Sequence, residues 1–78
     1  MDKLKKTFGE VLFQLRTEKA MTQEKLAELC DVDKKYIYLL EKGQRQPSLT
    51  TVFAIAIALN LAPSELVLKV EKKVGRKK

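Results

Sequence analysis

Cationic and aromatic side chains occur close together in the segment from residue 34 to residue 45, which reads Lys-Lys-Tyr-Ile-Tyr-Leu-Leu-Glu-Lys-Gly-Gln-Arg. On a helix, Ile37 and Leu40 would point inward. The outer face would then carry Lys34, Lys35, Tyr38 and Leu39, with Tyr36 to one side. Adjacent lysines are usual on a solvated face, but two tyrosines and a leucine beside them gain nothing from bare solvent. In the major groove of DNA, lysine donates to guanine or phosphate, and apolar atoms contact the thymine methyl group. This face is therefore a candidate for binding nucleic acid.

The overall charge agrees with such a partner. The 78 residues carry a formal net charge of +6 and a sequence pI of about 9.6. A basic balance favours polyanions, either nucleic acid or an anionic membrane surface, but by itself it is a weak signal. A chain this short has room for one hydrophobic core and hence one domain.

Catalytic chemistry is not expected. The sequence contains no histidine, which removes the usual general base and the commonest zinc ligand. Cys30 is the one cysteine, so no intrachain disulfide can form, and its apolar neighbours indicate a buried, inert thiol. We therefore predict no enzyme activity, no metal site and no cofactor. The lack of a possible disulfide predicts a reducing, cytoplasmic setting. The N-terminus has no apolar run typical of a signal peptide and no stretch is long enough to span a bilayer, so no membrane partner is expected.

Five helices are expected, in an all-α fold. The first begins between residues 3 and 7 and ends at 19. The second is capped at Thr22, the third covers 34–42 after an Asp33 cap, the fourth covers 49–59 after a Ser48 cap, and the fifth begins at Pro63. The very short connection between the second and third helices suggests a helix-turn-helix, although periodicity alone would fit any small helical bundle.

The fourth helix is apolar on all sides between residues 52 and 59. The face expected to pack on the core contains Leu49, Val52, Phe53, Ala56 and Leu59. The apolar side chains left over are Ala54, Ile57, Ala58 and Leu61. A symmetric dimer would cover them; the alternatives are plain exposure or cover by the C-terminal segment.

Several segments between Phe8 and Leu66 occur in a familiar order and spacing. They are Leu15-Arg16, Thr22-Gln23-Glu24-Lys25-Leu26-Ala27, Tyr36-Ile37, Leu40-Glu41-Lys42-Gly43 and Pro47-Ser48-Leu49. With them the chain resembles the Cro/C1-repressor-type (XRE-like) helix-turn-helix family. Within that family, the segments 33–37 and 44–46 resemble the controller proteins of restriction-modification systems.

The resemblance implies a five-helix, lambda-repressor-like DNA-binding domain at residues 1–70, with helices 2 and 3 as the helix-turn-helix, followed by a basic tail at 71–78 that we expect to be disordered. It assigns base readout to four residues of helix 3, which are Lys34, Lys35, Tyr36 and Leu39. Lys42 and Arg45 would contact the flanking phosphates, with a base as the alternative contact of Arg45. The expected DNA-binding set is Thr22, Gln23, Lys34, Lys35, Tyr36, Tyr38, Leu39, Lys42 and Arg45. Thr22 and Gln23 would hold a phosphate at the start of helix 2, where backbone N–H groups are free.

The resemblance also implies two structural features. Arg16 and Glu41 would form a partly buried ion pair between helix 1 and the end of helix 3. Dimerisation would lie near helix 5, which adds Val67 to the expected interface of Ala54, Ile57, Ala58 and Leu61.

The sequence departs from the family pattern at a few positions. Ala20 and Asp31 stand where the family commonly has glycine. A left-handed backbone conformation would be strained at Ala20, and less strained at Asp31 because aspartate tolerates that region. Tyr38 and Leu39 occupy positions that are usually polar, which affects the target sequence and not the fold.

These features predict a homodimeric transcriptional regulator that binds a pseudo-palindromic operator in double-stranded DNA through successive major grooves. The alternative is an antitoxin that binds a toxin and its own promoter with the same fold. A nucleic-acid-processing enzyme would need an acidic cluster or a His/Cys site, which the sequence lacks. A membrane-surface binder would need a helix with opposed basic and aromatic faces, which none of the five has.

Overall fold

Five helices account for the regular secondary structure between residues 2 and 75, the part of the chain that the computed structural model describes. They are α1 (Asp2–Glu18), α2 (Gln23–Cys30), α3 (Lys34–Glu41), α4 (Leu49–Ala58) and α5 (Pro63–Val74). The prediction of an all-α, five-helix domain is confirmed, and the ends of helices 1, 3 and 4 differ from the expected ones by a residue or so.

Short polar side chains begin three of the helices, as their positions predicted. The Thr22 hydroxyl accepts a hydrogen bond from the Lys25 backbone N–H at 2.9 Å. The Asp33 carboxylate and the Ser48 hydroxyl accept equivalent bonds at the starts of α3 and α4. Each bond satisfies a backbone donor that has no partner within its helix. The sequence therefore places these helix starts through bonds between near neighbours.

The turns after α1 and α2 use the left-handed backbone region. Ala20 has φ of +53° and Asp31 has φ of +58°. An L-residue other than glycine in this region costs about 1–2 kcal/mol, and less when a short polar side chain is available, as in aspartate. The strain expected at Ala20 is thus present in the structure.

The core lies between α1, which packs against α3 and α5, and α4, which packs against α2 and α5. Its fully buried large side chains are Leu12, Leu26, Ile37, Leu40, Ile55, Leu59 and Leu66. The members from α2 and α3 hold these two helices against the rest of the domain. The inner face predicted for α3 is the one observed.

The orientation predicted for α4 is wrong in part. Ala56 and Leu59 are buried as expected, but Leu49 is 72% exposed and Phe53 is also exposed, whereas Ile55 is fully buried. A helix that is apolar on all sides has no sequence signal for its inward face, so packing against α2 and α5 decides it. The exposed apolar surface of α4 is consequently larger than predicted.

The predicted boundary between domain and tail at residue 70 also needs correction. Helix α5 continues to Val74, whose half-buried side chain packs against the core. Residues 71–74 are therefore helical, because one more apolar residue is available to bury. Residues 76–78 of the expected tail lie outside the described residues.

No single helix in the described range is long and apolar enough to cross a membrane. Helices α4 and α5 have the length and apolar composition of a membrane span only when they are taken together, and the chain bends by 105° between them.

Gly9 lets α1 approach the end of α3. A Cβ atom at this position would lie 2.7 Å from the carbonyl oxygen of Glu41 and closer still to that of Leu40. Gly9→Ala should therefore lower the free energy of unfolding by about 1–3 kcal/mol, although alanine is the better helix former. Urea denaturation measures this, with Glu10→Ala on the exposed side of the same helix as the control. An unchanged or higher stability for Gly9→Ala would show that the two helices separate at little cost.

Candidate nucleic-acid interface

Helices α2 and α3 are joined by a tight turn at residues 31–33. The Val32 N–H donates to the Ala27 carbonyl at 3.0 Å, and the Asp31 N–H donates to the Glu28 carbonyl at 3.2 Å. Ala27 is buried where the turn folds back, so its small side chain allows the backbones to approach. This arrangement is a helix-turn-helix with α3 as its second helix.

The outer face of α3 is open to solvent. Lys34, Lys35 and Tyr38 are exposed, while Tyr36 and Leu39 are half-buried. A shallow depression of about 640 Å³ lies between the start of α2 and the start of α3. The residues that line it are Gln23, Asp33, Lys34, Lys35 and Tyr38. The structure therefore brings four of the predicted DNA-binding residues to one surface.

A row of side chains runs along this face at intervals of four residues. It consists of Lys34, Tyr38 and Lys42, and the Lys42 ammonium lies 5.7 Å from the centroid of the Tyr38 ring. A cation over an aromatic face is attracted by the ring quadrupole, which stabilises this pair on the surface. The row carries positive charge from the first turn of α3 to the residue after its end.

Tyr36 lies apart from the other side chains that are predicted to contact bases. Its hydroxyl lies 3.5 Å from the Thr51 hydroxyl on α4, and the Arg45 guanidinium lies 5.3 Å from its ring centroid. Thr51 in turn shares a hydrogen bond with the Ser48 hydroxyl at 3.0 Å. Tyr36 thus connects α3 to α4 and places Arg45 beside α3.

Arg16 and Glu41 form an ion pair with two contacts. The guanidinium Nε lies 2.5 Å from one carboxylate oxygen and Nη2 lies 3.0 Å from the other, and the two side chains are only 10% and 5% exposed. The remaining terminal nitrogen, Nη1, donates to the Met21 carbonyl at 2.7 Å. Such a bidentate geometry orients both groups. It ties α1 to the end of α3.

Gln23 belongs to the same network, which sequence reasoning missed. Its side-chain amide nitrogen donates to the Glu41 carboxylate at 2.9 Å. The first residue of α2 is therefore joined to the last residue of α3, and its side-chain amide nitrogen is engaged within the protein. Eighteen positions separate the two residues, so no local pattern could have indicated this bond.

The other candidate chemistries receive no support from the described residues. Burial raises the pKa of the half-buried Cys30 thiol, which favours its protonated, unreactive form. Among residues 2–75, no group of three or more histidine, cysteine or acidic side chains has an arrangement suited to a metal ion.

The predicted dimer residues fall into two groups. Ile57, at 68% exposure, and Val67 are exposed, whereas Ala54, Ala58 and Leu61 are half-buried. Ala58 and Leu61 pack against the core of their own chain. The exposed apolar side chains of this region, which we call the α4–α5 apolar patch, are Leu49, Phe53, Ile57, Val67 and Leu68.

Comparisons with known proteins agree with the geometry of α2 and α3. The helix-turn-helix family model HTH_3 matches residues 12–66. Control protein C.BamHI of Bacillus amyloliquefaciens is 41% identical over 61 residues, covering 77% of this chain and 75% of the relative. Control protein C.MunI of Mycoplasma sp. is 37% identical over 73 residues, covering 92% of this chain and 99% of the relative.

A solved structure supports the same assignment. The restriction-modification controller protein C.AhdI from Aeromonas hydrophila superposes with a TM-score of 0.75 and 43% identity, over 78% of this chain and 92% of that chain. The family model covers most of the chain, including both helices of the motif. The chain therefore belongs to the Cro/C1-type helix-turn-helix family of DNA-binding transcriptional regulators.

Proposed function

We propose that this protein is a controller-type transcriptional regulator that binds a pseudo-palindromic operator as a homodimer, with one α3 helix in each of two successive major grooves. The observation that carries the proposal is the exposed cationic and aromatic face of α3, the second helix of the helix-turn-helix. The similarity of the chain to proteins named control proteins supports the controller role. Such a regulator would act in the cytoplasm, where its DNA is.

Within this proposal, the first turn of α3 reads bases. Lys34 and Lys35 in that turn are exposed and aimed away from the core, so they reach guanine acceptors. In the second turn, Tyr38 and Leu39 supply apolar contact to thymine methyl groups. Tyr36 contributes from the side, through its contact with Arg45. Lys42 and Arg45 contact the phosphates that flank these bases.

The start of α2 contacts the DNA backbone. The Thr22 hydroxyl caps the helix, and the Gln23 amide nitrogen is bound to Glu41. Since both side chains are engaged within the protein, a phosphate would bind to the backbone N–H groups in the first turn of α2. The bond from Gln23 to Glu41 holds the start of α2 at a set distance from the end of α3. It thereby positions the phosphate contact of α2 relative to the base contacts of α3.

The α4–α5 apolar patch is the proposed dimer interface. On α4 it contains Leu49, Phe53 and Ile57, which recur every four residues and so share one face. Leu49 and Val67 also border one apolar cavity of about 240 Å³, which joins the α4 part of the patch to α5. So many exposed apolar side chains on two adjoining helices of a small domain favour association with a second copy. No specific observation favours the antitoxin alternative.

The proposal is tested by selecting bound sequences from a random duplex library. We expect the parent protein to select two inverted half-sites about one helical turn apart. On the selected duplex, Lys34→Ala/Lys35→Ala should weaken binding at least about tenfold and relax base preference, since a good base contact is worth about 1–3 kcal/mol. Fluorescence anisotropy measures both effects.

The matched control is Lys72→Ala/Lys73→Ala, which removes the same charge from exposed positions on α5. It should lose less affinity and keep the base preference of the parent protein. Selection of no sequence by the parent, or equal behaviour of the two double variants, would contradict the proposal.

A further inference from the structure

A second group of lysines lies beside the end of α3, on a helix to which no DNA contact has been assigned. Lys5 and Lys6 of α1 and the segment Lys42, Gly43 and Gln44 together line an open concavity of about 440 Å³. Lys6 and Lys42 are exposed and Lys5 is half-buried. Two elements that are far apart in sequence therefore present cations to the same space.

Gly43 brings these elements together. Its φ is +74°, and a Cβ atom built on it would lie 3.0 Å from the Lys6 Cα atom. The Gly43 and Gln44 N–H groups donate to the Leu40 and Leu39 carbonyls at 3.1 and 2.9 Å, which closes the end of α3. The backbone after α3 is thus held directly against the first turns of α1.

The charged residues that the structure describes around the concavity are all of one sign. They are three lysines, and no acidic residue among the described side chains lines it. None of the three lysines forms an ion pair with a carboxylate of the described side chains. The like charges repel one another, and a bound anion would offset this repulsion by attracting each of them. The concavity is therefore suited to an anionic ligand.

The concavity also continues the row on α3. Lys42 is both the last member of the Lys34, Tyr38 and Lys42 row and part of the lining. A polyanion that lies along α3 therefore meets Lys5 and Lys6 directly beyond Lys42. A duplex supplies such an extended anion, with phosphates on both sides of the bases that α3 would read.

We propose that Lys5 and Lys6 bind backbone phosphates of DNA next to the phosphate held by Lys42, so that the DNA interface extends from the helix-turn-helix onto α1. This inference rests on the proposed function. Phosphate contacts position a protein without reading sequence. Lys5 and Lys6 would add affinity and salt dependence equally on every duplex.

The test uses a mixed-sequence duplex of about two helical turns and the full chain carrying Lys5→Gln/Lys6→Gln. Each phosphate contact contributes about 0.9 to the log–log slope of affinity against salt, so the slope should fall by about 1.8 per subunit. The control Lys72→Gln/Lys73→Gln removes the same charge on α5 and should leave the slope close to that of the parent. Equal slopes for the two double variants would overturn the inference.

Lysine acetylation of the parent protein, with and without the duplex, gives a second readout that needs no variant. Protection of Lys5 and Lys6 by the duplex, with Lys72 and Lys73 still modified, supports the inference. Protection of Lys34 and Lys35 without Lys5 and Lys6 overturns it and leaves the proposed function standing. A parent protein that binds no duplex overturns both.

Discussion

Replacing Arg16 with alanine should lower the free energy of unfolding by about 3–5 kcal/mol, because the buried Glu41 carboxylate would lose both of its guanidinium contacts. The bond from Arg16 to the Met21 carbonyl would also be lost. Only the Gln23 amide would remain on Glu41. This loss is a large part of the stability of a small domain, commonly about 5–15 kcal/mol in total. DNA binding should weaken along with stability, since Glu41 ends α3. Urea denaturation followed by circular dichroism measures the change.

The chain offers a matched control for this prediction. Lys25 and Glu28 also form an ion pair, at 3.9 Å, but their side chains are 56% and 74% exposed. Lys25→Ala should change stability by no more than about 1 kcal/mol, because solvent screens an exposed pair. Similar stabilities for Arg16→Ala, Lys25→Ala and the parent would mean that the Arg16–Glu41 pair does not hold α3 in place.

Ile57→Lys, and separately Phe53→Lys, should convert the proposed dimer to a monomer at micromolar concentration while leaving its helical content intact. Both side chains are exposed in one chain, so lysine is tolerated there in the monomer. A buried isoleucine contributes roughly 1.5–3 kcal/mol, and a twofold interface contains it twice. Dimer dissociation should therefore become at least about 100-fold easier. Sedimentation equilibrium measures the oligomeric state, and binding to the selected operator should fall with it.

Leu29→Lys is the matched control, because Leu29 is an exposed apolar residue on α2, outside the α4–α5 apolar patch. It should leave the oligomeric state unchanged. Leu61 is unsuitable for the same experiment, since it packs against the core and lysine there would disturb the fold. The proposed interface would be wrong if the parent protein is a monomer, or if it is a dimer whose dissociation neither lysine substitution changes. The α4–α5 apolar patch would then face something other than a second copy of the chain.

The sequence by itself determined the features that depend on near neighbours. The hydroxyl or carboxylate of a capping residue bonds to an N–H only two or three positions along, so Thr22, Asp33 and Ser48 mark helix starts without reference to the rest of the chain. The inward side of α3 is likewise set by the spacing of Ile37 and Leu40 among polar neighbours. The exposed cationic face follows from the same pattern, and the DNA-binding prediction joins it to the resemblance to the helix-turn-helix family.

Only the tertiary structure decided features that join distant residues or choose between equivalent faces. Helix α4 is apolar on all sides, so burial of Ile55 in place of Phe53 depends on where α2 and α5 lie. The Gln23–Glu41 bond and the approach of Gly43 to Lys6 join residues far apart along the chain. Their geometry depends on how the helices pack, and periodicity within one helix carries no information about which residue of another helix will face it.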